Sequence, residues 1–219
     1  MTQDLFDAIT AGDLNHVKDL LKRDPSLPNA RSKKRAPAAV FALYVGRKDI
    51  SEAILAAGPT LDLPAAAAVG RLDRVRELLA RDPSSVGTLS GDGFTALGLA
   101  SHLGHPDVVA FLLSKGAKVN YVDPSRGFTA TTGAIARDHA DIARLLVEHG
   151  ADVDHRYEAG KTPLTEAAFN GNPIIVKLLL DHGARVDIRT DKGQTPLAIA
   201  LEKGHTNVAD LLRKHGATA

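Results

Sequence analysis

Histidines are the side chains of this 219-residue chain best suited to metal binding, and three of the nine recur at a fixed spacing. By subtraction, His149, His182 and His215 follow one another at intervals of 33 residues. Elements that repeat in this way stack, and packed helices lie about 8–10 Å apart, whereas zinc needs nitrogen ligands at about 2 Å. Neighbouring histidines are therefore too far apart to share an ion, and a role at the negative end of a helix dipole explains each of them. We expect no metal and no cofactor.

Motifs that would carry catalysis or hold a phosphate are missing from the sequence. No serine lies in the Gly-x-Ser-x-Gly turn that presents a nucleophile. The Gly/Ser-rich segment 89–94 lacks the Gly-Lys-Ser/Thr ending of a phosphate-binding loop. The chain has no cysteine, which excludes thiol catalysis, disulfides and cysteine-bound zinc. We predict that the protein is not an enzyme.

The most basic segment is Arg31-Ser32-Lys33-Lys34-Arg35. Short runs of this kind contact nucleic acid or act as nuclear import signals, but they are also common in solvated loops. The formal net charge of the whole chain is only +1, which provides no general attraction to nucleic acid or acidic membranes. A solvated loop is the favoured interpretation, and a nucleic-acid-associated adaptor that uses Arg31–Arg35 is the alternative.

Composition indicates an ordered, soluble chain. Hydrophobic residues make up 44% of the sequence and charged residues 24%, which is too apolar and too balanced in charge for disorder. No segment approaches the roughly 20 uninterrupted apolar residues of a membrane span. The N-terminal segment 1–7 is acidic and lacks the apolar centre of a secretory signal. We expect a cytoplasmic protein without a membrane partner.

Four segments of the chain can be superimposed by sequence: 94–104, 128–138, 161–171 and 194–204. Their last residues are 34, 33 and 33 positions apart by subtraction. Self-similarity at this period is typical of a stacked helical array rather than one globular core. The array must therefore position any functional side chain.

Each repeat carries the signals of two helices. In 162–164 (Thr-Pro-Leu) the threonine is suited to cap a helix and the proline to occupy its first turn, and Gly171 then ends that helix. The second helix shows apolar residues at helical spacing, such as Val176, Leu179 and Leu180. Eight positions after the turn, all seven repeats have an apolar residue: Leu20, Ile54, Leu78, Leu112, Leu146, Leu179 and Leu212.

The first third of the chain is less regular but related to the rest. Segment 17–26 matches segment 75–84 at an offset of 58, and Gly12, Gly46 and Gly70 mark three more turns. The loop between the second and third repeats is reduced to a turn around 57–60. We predict one domain over residues 1–219, with seven helix pairs in the approximate repeats 1–33, 34–61, 62–92, 93–126, 127–159, 160–192 and 193–219.

With these motifs and this period, the chain resembles the ankyrin-repeat family over essentially its whole length. The resemblance implies an all-α solenoid of about seven stacked helix–turn–helix units with short β-hairpin loops. One family feature is absent: the histidine of the Thr-Pro-Leu-His signature is replaced by Gly98, Thr132, Thr165 and Ala198. The implied function is non-catalytic binding of another protein by a monomeric scaffold or adaptor.

In the family, partners bind to the hairpin tips and to the exposed face of the first helix of each pair, which together line a concave surface. Phe94 and Phe128 would then lie side by side, either as part of a binding patch or packed against neighbouring hairpins. Our hypothesis is an apolar-aromatic centre of Phe94, Phe128, Phe169 and His102. The full set of expected partner-binding residues is Asp92, Phe94, His102, Leu103, Arg126, Phe128, Arg137, Glu158, Lys161, Phe169, Asn170, Lys192, Gln194 and Glu202.

Overall fold

In the computed structural model, which describes residues 1–218, the chain is all-α, as the sequence predicts. The helices are α1 Thr2–Ala11, α2 Leu14–Arg23, α3 Ala38–Tyr44, α4 Lys48–Ala56, α5 Leu63–Ala68, α6 Leu72–Arg81, α7 Ala96–Leu103, α8 Pro106–Ser114, α9 Ala130–Ala136, α10 Ala140–Glu148, α11 Pro163–Asn170, α12 Pro173–Asp181, α13 Pro196–Glu202 and α14 Thr206–Lys214. We call the first helix of each pair an inner helix and the second an outer helix. Short 3-10 helices occur at Leu27–Asn29, Pro83–Gly87 and Glu158–Gly160.

The loops between pairs contain single β-bridges rather than strands. Residues 1–218 hold three such bridges: Arg31 with Pro37, Leu89 with Thr95, and Tyr157 with Lys161. The loop between α4 and α5 spans only residues 57–62, in agreement with the short turn expected there. Three of the six loops between pairs are therefore singly bridged hairpins, and the other three are turns without a bridge among the described residues.

The chain divides into two compact halves, Met1–Ala96 and Leu97–Ala219, which we call the N-terminal and C-terminal halves. In the N-terminal half, α1 packs on α2 and α3, and α2 packs on α4. Leu5, Ile9 and Ile54 are fully buried in its core. The rings of Phe6 and Phe41 meet edge to face with centroids 5.2 Å apart.

In the C-terminal half, the helices pack in two rows. Inner helices α9, α11 and α13 lie side by side, and so do outer helices α8, α10, α12 and α14. Ala167, Ala168 and Ala200 are fully buried on the inner helices, and these small side chains allow neighbouring helices to approach closely. Leu146 and Leu179 fill the core from the outer row.

The apolar position eight residues after each turn is buried in six of the seven repeats. The exception is Leu78, which is half-buried, while Leu79 next to it is buried instead. The helical spacing therefore identifies the core-facing side of every outer helix, with a shift of one residue on α6.

Threonine caps begin the inner helices of the C-terminal half as expected. The hydroxyls of Thr129, Thr162 and Thr195 each accept the backbone N–H three residues later. Two of these caps also have the reciprocal hydrogen bond. The hydroxyls of Thr132 and Thr165 accept the backbone N–H of Thr129 and Thr162, each at 2.8 Å. Threonine in place of the family's histidine thus completes a capping box.

The three evenly spaced histidines are the C-cap residues of outer helices α10, α12 and α14. Nδ1 of His149, His182 and His215 donates to the carbonyl four residues earlier at 2.7, 2.8 and 2.9 Å. These bonds add a donor to carbonyl groups of the last helical turn, where intrahelical partners run out; the Leu145 carbonyl also accepts the N–H of His149.

In the C-terminal half, the turns at Gly104, Asp138 and Gly171 are each packed against a side chain from the next repeat. Gly171 has φ 75°, and the His205 ring lies so close to it that an added Cβ would be 2.5 Å from Nδ1. His139 covers Gly104 in the same way. Where the turn residue is Asp138, the covering residue is the shorter Asn172, whose Nδ2 donates to the Asp138 carboxylate at 2.8 Å.

Candidate partner-binding surface

The loop tips of the C-terminal half, residues 123–128, 157–161 and 190–194, are joined by backbone hydrogen bonds. The N–H of Glu158 donates to the carbonyl of Arg126 at 3.0 Å, and the N–H of Asp191 donates to the carbonyl of Ala159 at 3.0 Å. Both bonds occur at the same register, because Glu158 and Asp191 are 33 residues apart by subtraction. The tips are therefore fixed relative to one another before any partner arrives.

Side chains brace the same loops from repeat to repeat. The Asn120 amide donates to the carbonyl of Gly150 at 3.0 Å and accepts the N–H of Asp152 at 2.9 Å. Asp154 accepts the N–H of Arg185 at 2.9 Å in the following repeat. These bonds hold the loops together without the family's signature histidine.

Phe128 lies in the first of these tips and packs on the second. Its ring centroid is 5.3 Å from that of Tyr157, and Phe128 is half-buried whereas Tyr157 is buried. The Tyr157 hydroxyl donates to the Glu166 carboxylate at 3.0 Å, and Lys161 Nζ donates to the same oxygen at 3.0 Å. Burial, together with the Glu166 charge, raises the pKa of Tyr157. Neither Tyr157 nor Glu166 follows from repeat spacing, so the sequence analysis did not identify them.

Phe169, near the end of α11, has the most exposed aromatic ring among residues 1–218, with 50% of its surface accessible. Lys203 Nζ lies 4.7 Å from the ring centroid and Lys161 Nζ lies 6.0 Å from it. The described residues show ring contact of Phe128 with Tyr157 and none with Phe169. Phe169 is thus surrounded by cations rather than by the other aromatic rings of our hypothesis.

His102 on α7 and Arg137, which follows α9, are joined by a hydrogen bond. The Arg137 Nε donates to His102 Nε2 at 3.1 Å. Burial, with the nearby charges of Arg137 and His139, lowers the pKa of His102 to about 4, and a backbone hydrogen bond to Gly133 acts in the opposite direction. His102 is therefore neutral near pH 7 and serves as an acceptor for the guanidinium.

The other expected binding residues are exposed or half-buried, and several have local partners. Asn170 donates to the carbonyl of Ile135 at 2.8 Å, and Gln194 donates to the Glu202 carboxylate at 2.7 Å. Leu103 is half-buried and Lys192 is exposed. The Arg126 guanidinium lies 3.9 Å from the Glu158 carboxylate.

Asp92 and Phe94 belong to the N-terminal half and are both half-buried. The Asp92 carboxylate accepts the Tyr44 hydroxyl at 3.1 Å and the Ser90 hydroxyl at 2.6 Å. The Phe94 N–H donates to the Ser90 hydroxyl at 2.9 Å. These contacts shape the loop around Asp92 from within its own half.

The described part of the chain contains no cluster of three or more metal-binding side chains. It also contains no helix long and apolar enough to cross a membrane. In the basic segment, Arg31 pairs with Asp62 at 3.1 Å and donates to the carbonyl of Arg35. Lys33 and Lys34 are exposed.

A family model described as ankyrin repeats (3 copies) matches residues 63–157 and 154–219, which is well over half of the sequence. The chain belongs to the ankyrin-repeat family. Ankyrin repeats are in general modules that bind other proteins, and their fold is typically non-catalytic.

Curated relatives match the chain over short segments. The NAD-capped RNA hydrolase NUDT12 of Homo sapiens is 40% identical over 60 residues, which is 27% of this chain and 13% of that protein; the same protein of Macaca fascicularis matches equally. Ankyrin repeat and SAM domain-containing protein 3 of Homo sapiens is 38% identical over 64 residues, 29% of this chain and 10% of that protein. The chain therefore spans 13% or less of the length of these relatives, and RNA hydrolysis is a property of NUDT12.

Proposed function

We propose that the chain is a non-catalytic scaffold or adaptor that binds a partner protein through the ends of its inner helices and its loop tips. The observation that carries this proposal is the exposure of Phe169. Its side chain is 50% exposed, although the helix that carries it, α11, packs closely against α9 and α13. We call Arg137, Lys161, Phe169, Asn170, Glu202 and Lys203 the Phe169 surface.

An exposed aromatic ring on a rigid support is a favourable centre for an interface. Aromatic residues are enriched among the side chains that contribute most to binding, and Phe169 has a large apolar area to remove from water. The bonds from Asn170 to α9 and from one tip to the next hold the surrounding backbone in place. Little ordering entropy then opposes association.

The other aromatic candidates have different roles in this proposal. We infer that Phe128 mainly packs the loop tips, because its ring contacts Tyr157. Leu103 would act at the margin of the interface, and binding through Asp92 and Phe94 stays a separate prediction for the loop of the N-terminal half. We further propose that the protein acts as a monomer in the cytoplasm.

A nucleic-acid-associated role for Arg31–Arg35 is the weaker alternative. Lys33 and Lys34 are exposed, and neither has an ion-pair partner among residues 1–218. Arg31 is already neutralised by Asp62. Binding through this segment would weaken steeply with salt, and Lys33→Gln with Lys34→Gln would abolish it.

The proposal is tested by affinity capture from nuclease-treated lysate with crosslinking, using wild type, Phe169→Ala and Ile174→Ala. Ile174 is the matched control, because it is an apolar residue of outer helix α12 that is 58% exposed. We expect a captured protein that is lost with Phe169→Ala and retained with Ile174→Ala, while thermal melts show that both variants are folded. Capture that is equal for the three proteins would place the interface elsewhere.

Phe128→Ala distinguishes packing from binding in the same experiment. We expect it to lower Tm through loss of the Tyr157 contact and to leave capture by the folded protein unchanged. Loss of capture without loss of stability would instead assign Phe128 to the interface.

A further inference from the structure

The Arg137 guanidinium is oriented but not neutralised. Its Nε donates to Nε2 of neutral His102 at 3.1 Å. This bond leaves Nη1 and Nη2 for another acceptor. Arg137 itself is exposed, and no carboxylate of residues 1–218 lies within ion-pair distance of it. A guanidinium held in this way presents a fork that matches the two oxygens of a carboxylate.

The remaining charges of the Phe169 surface are already paired within the chain. Lys161 shares the Glu166 carboxylate with Tyr157, and Lys203 lies 3.8 Å from the Glu202 carboxylate. Arg137 is therefore the positive charge in excess on this surface. Charge complementarity favours a partner with a negative side chain at this point.

Arg137 and Phe169 lie at the ends of two adjacent packed helices, α9 and α11. Asn170, next to Phe169, is the equivalent of Arg137 one repeat later, because the two residues are 33 positions apart by subtraction. The Asn170 side chain donates directly to the carbonyl of Ile135 in α9. Adjacent packed helices are about 8–10 Å apart. An extended peptide advances roughly 3.3–3.6 Å per residue, so two side chains two or three residues apart span this gap.

We propose that the partner segment carries an aspartate or glutamate two or three residues from a large apolar side chain. The carboxylate would bind Nη1 and Nη2 of Arg137, and the apolar side chain would cover Phe169. His102 acts as a positioning residue, because it holds the guanidinium through Nε. This inference rests on the proposed function and specifies its partner chemistry.

The test is selection from a displayed library of random 12-residue peptides with four folded proteins: wild type, Arg137→Glu, Arg144→Glu and Phe169→Ala. Arg144 is the matched control, because it is an exposed arginine on outer helix α10. Wild type and Arg144→Glu should enrich peptides with an acidic residue two or three positions from a large apolar one. Arg137→Glu should lose that acidic preference or reverse it to Lys and Arg. Affinity of Arg137→Glu for a wild-type-selected peptide, measured by calorimetry at low salt, should fall about tenfold or more.

The outcomes separate this inference from the proposed function. The inference is overturned if the peptides selected by Arg137→Glu still prefer acidic residues. It is also overturned if the peptides selected by wild type show no such preference. If Phe169→Ala still abolishes enrichment in that case, the proposed binding surface stands without it. If wild type enriches no peptides, the result counts against both proposals.

Discussion

Two neighbouring threonines of α9 show how one residue type has opposite effects at adjacent positions. Thr131 and Thr132 are both buried. The Thr132 hydroxyl completes a capping box with Thr129, whereas the Thr131 hydroxyl has no hydrogen-bond partner among the described residues. Thr131 stands where the other C-terminal repeats have leucine: Leu97, Leu164 and Leu197. Its hydroxyl therefore lies in a site suited to an apolar side chain.

We expect Thr131→Val to raise the free energy of unfolding by about 1 kcal/mol, because it removes a buried polar group that makes no bond. Thr132→Val is the control at the next position. It should lower stability by about 1–2 kcal/mol, because it leaves the Thr129 N–H unsatisfied. Denaturant unfolding of the three proteins measures both differences. A loss of stability in both variants would show that the Thr131 hydroxyl is bonded.

His102 makes stability depend on pH. Its pKa is lowered from 6.5 to about 4 in the folded protein, so the unfolded chain binds the proton first as pH falls. Stability from this residue is therefore complete above pH 6.5 and is lost as pH decreases toward 4, by about 1–3 kcal/mol. His102→Gln should remove this part of the pH dependence in urea titrations between pH 7 and 4. Equal slopes for wild type and variant would contradict the assignment.

At the scale of elements, the helix pairs of the C-terminal half are held together at their turns as well as along their sides. The His205 ring covers Gly171, and Nε2 of His205 lies 3.1 Å from the carbonyl of Phe169. This contact joins the end of α11, which carries the proposed surface, to the start of α14. A glycine turn in one repeat and a histidine in the next thus act as one structural unit.

Gly171→Ala should cost more than Gly183→Ala, although both glycines have positive φ. The backbone strain of about 1–2 kcal/mol is common to both. Only Gly171 would bring its new Cβ against the His205 ring, whereas Gly183 has open space around it, and the overlap should add about 1–3 kcal/mol. In a His205→Ala background this excess should disappear. A double-mutant cycle by thermal or urea unfolding measures it, and an excess that survives His205→Ala would refute the proposed contact.

At the scale of the molecule, the repeat pattern predicts that the two compact halves share their stability. The single domain over residues 1–219 remains a prediction from the repeat pattern. In a continuous array, each repeat is stabilised by its neighbours, so damage to one repeat lowers the stability of the others.

Leu146→Ala in α10 should lower the free energy of unfolding by about 2–5 kcal/mol, because it opens a cavity at a fully buried position. Ile54→Ala in α4 is the reciprocal variant in the N-terminal half. If the chain is one continuous array, each variant should also lower the protection of the most slowly exchanging amides in the other half. Native-state hydrogen exchange measures this protection. Effects confined to the half that carries the substitution would indicate two independent domains.

The sequence alone determined the family, the helix pairs and most of the core. These features depend on interactions within a repeat: threonine caps, glycine turns and apolar residues at helical spacing, all of which are local and periodic. The spacing of His149, His182 and His215 likewise predicted their place at the ends of outer helices, where Nδ1 of each donates to a carbonyl.

Only the tertiary structure decided which aromatic rings pack and which stay exposed. Phe128 and Phe169 are equivalent in the sequence as large apolar residues of a binding face, yet the first contacts Tyr157 and the second lies beside lysines. The link from Arg137 to His102 likewise joins residues 35 positions apart. Such contacts depend on side-chain directions in neighbouring repeats, and a spacing that brings two repeats together does not specify which side chains meet across them.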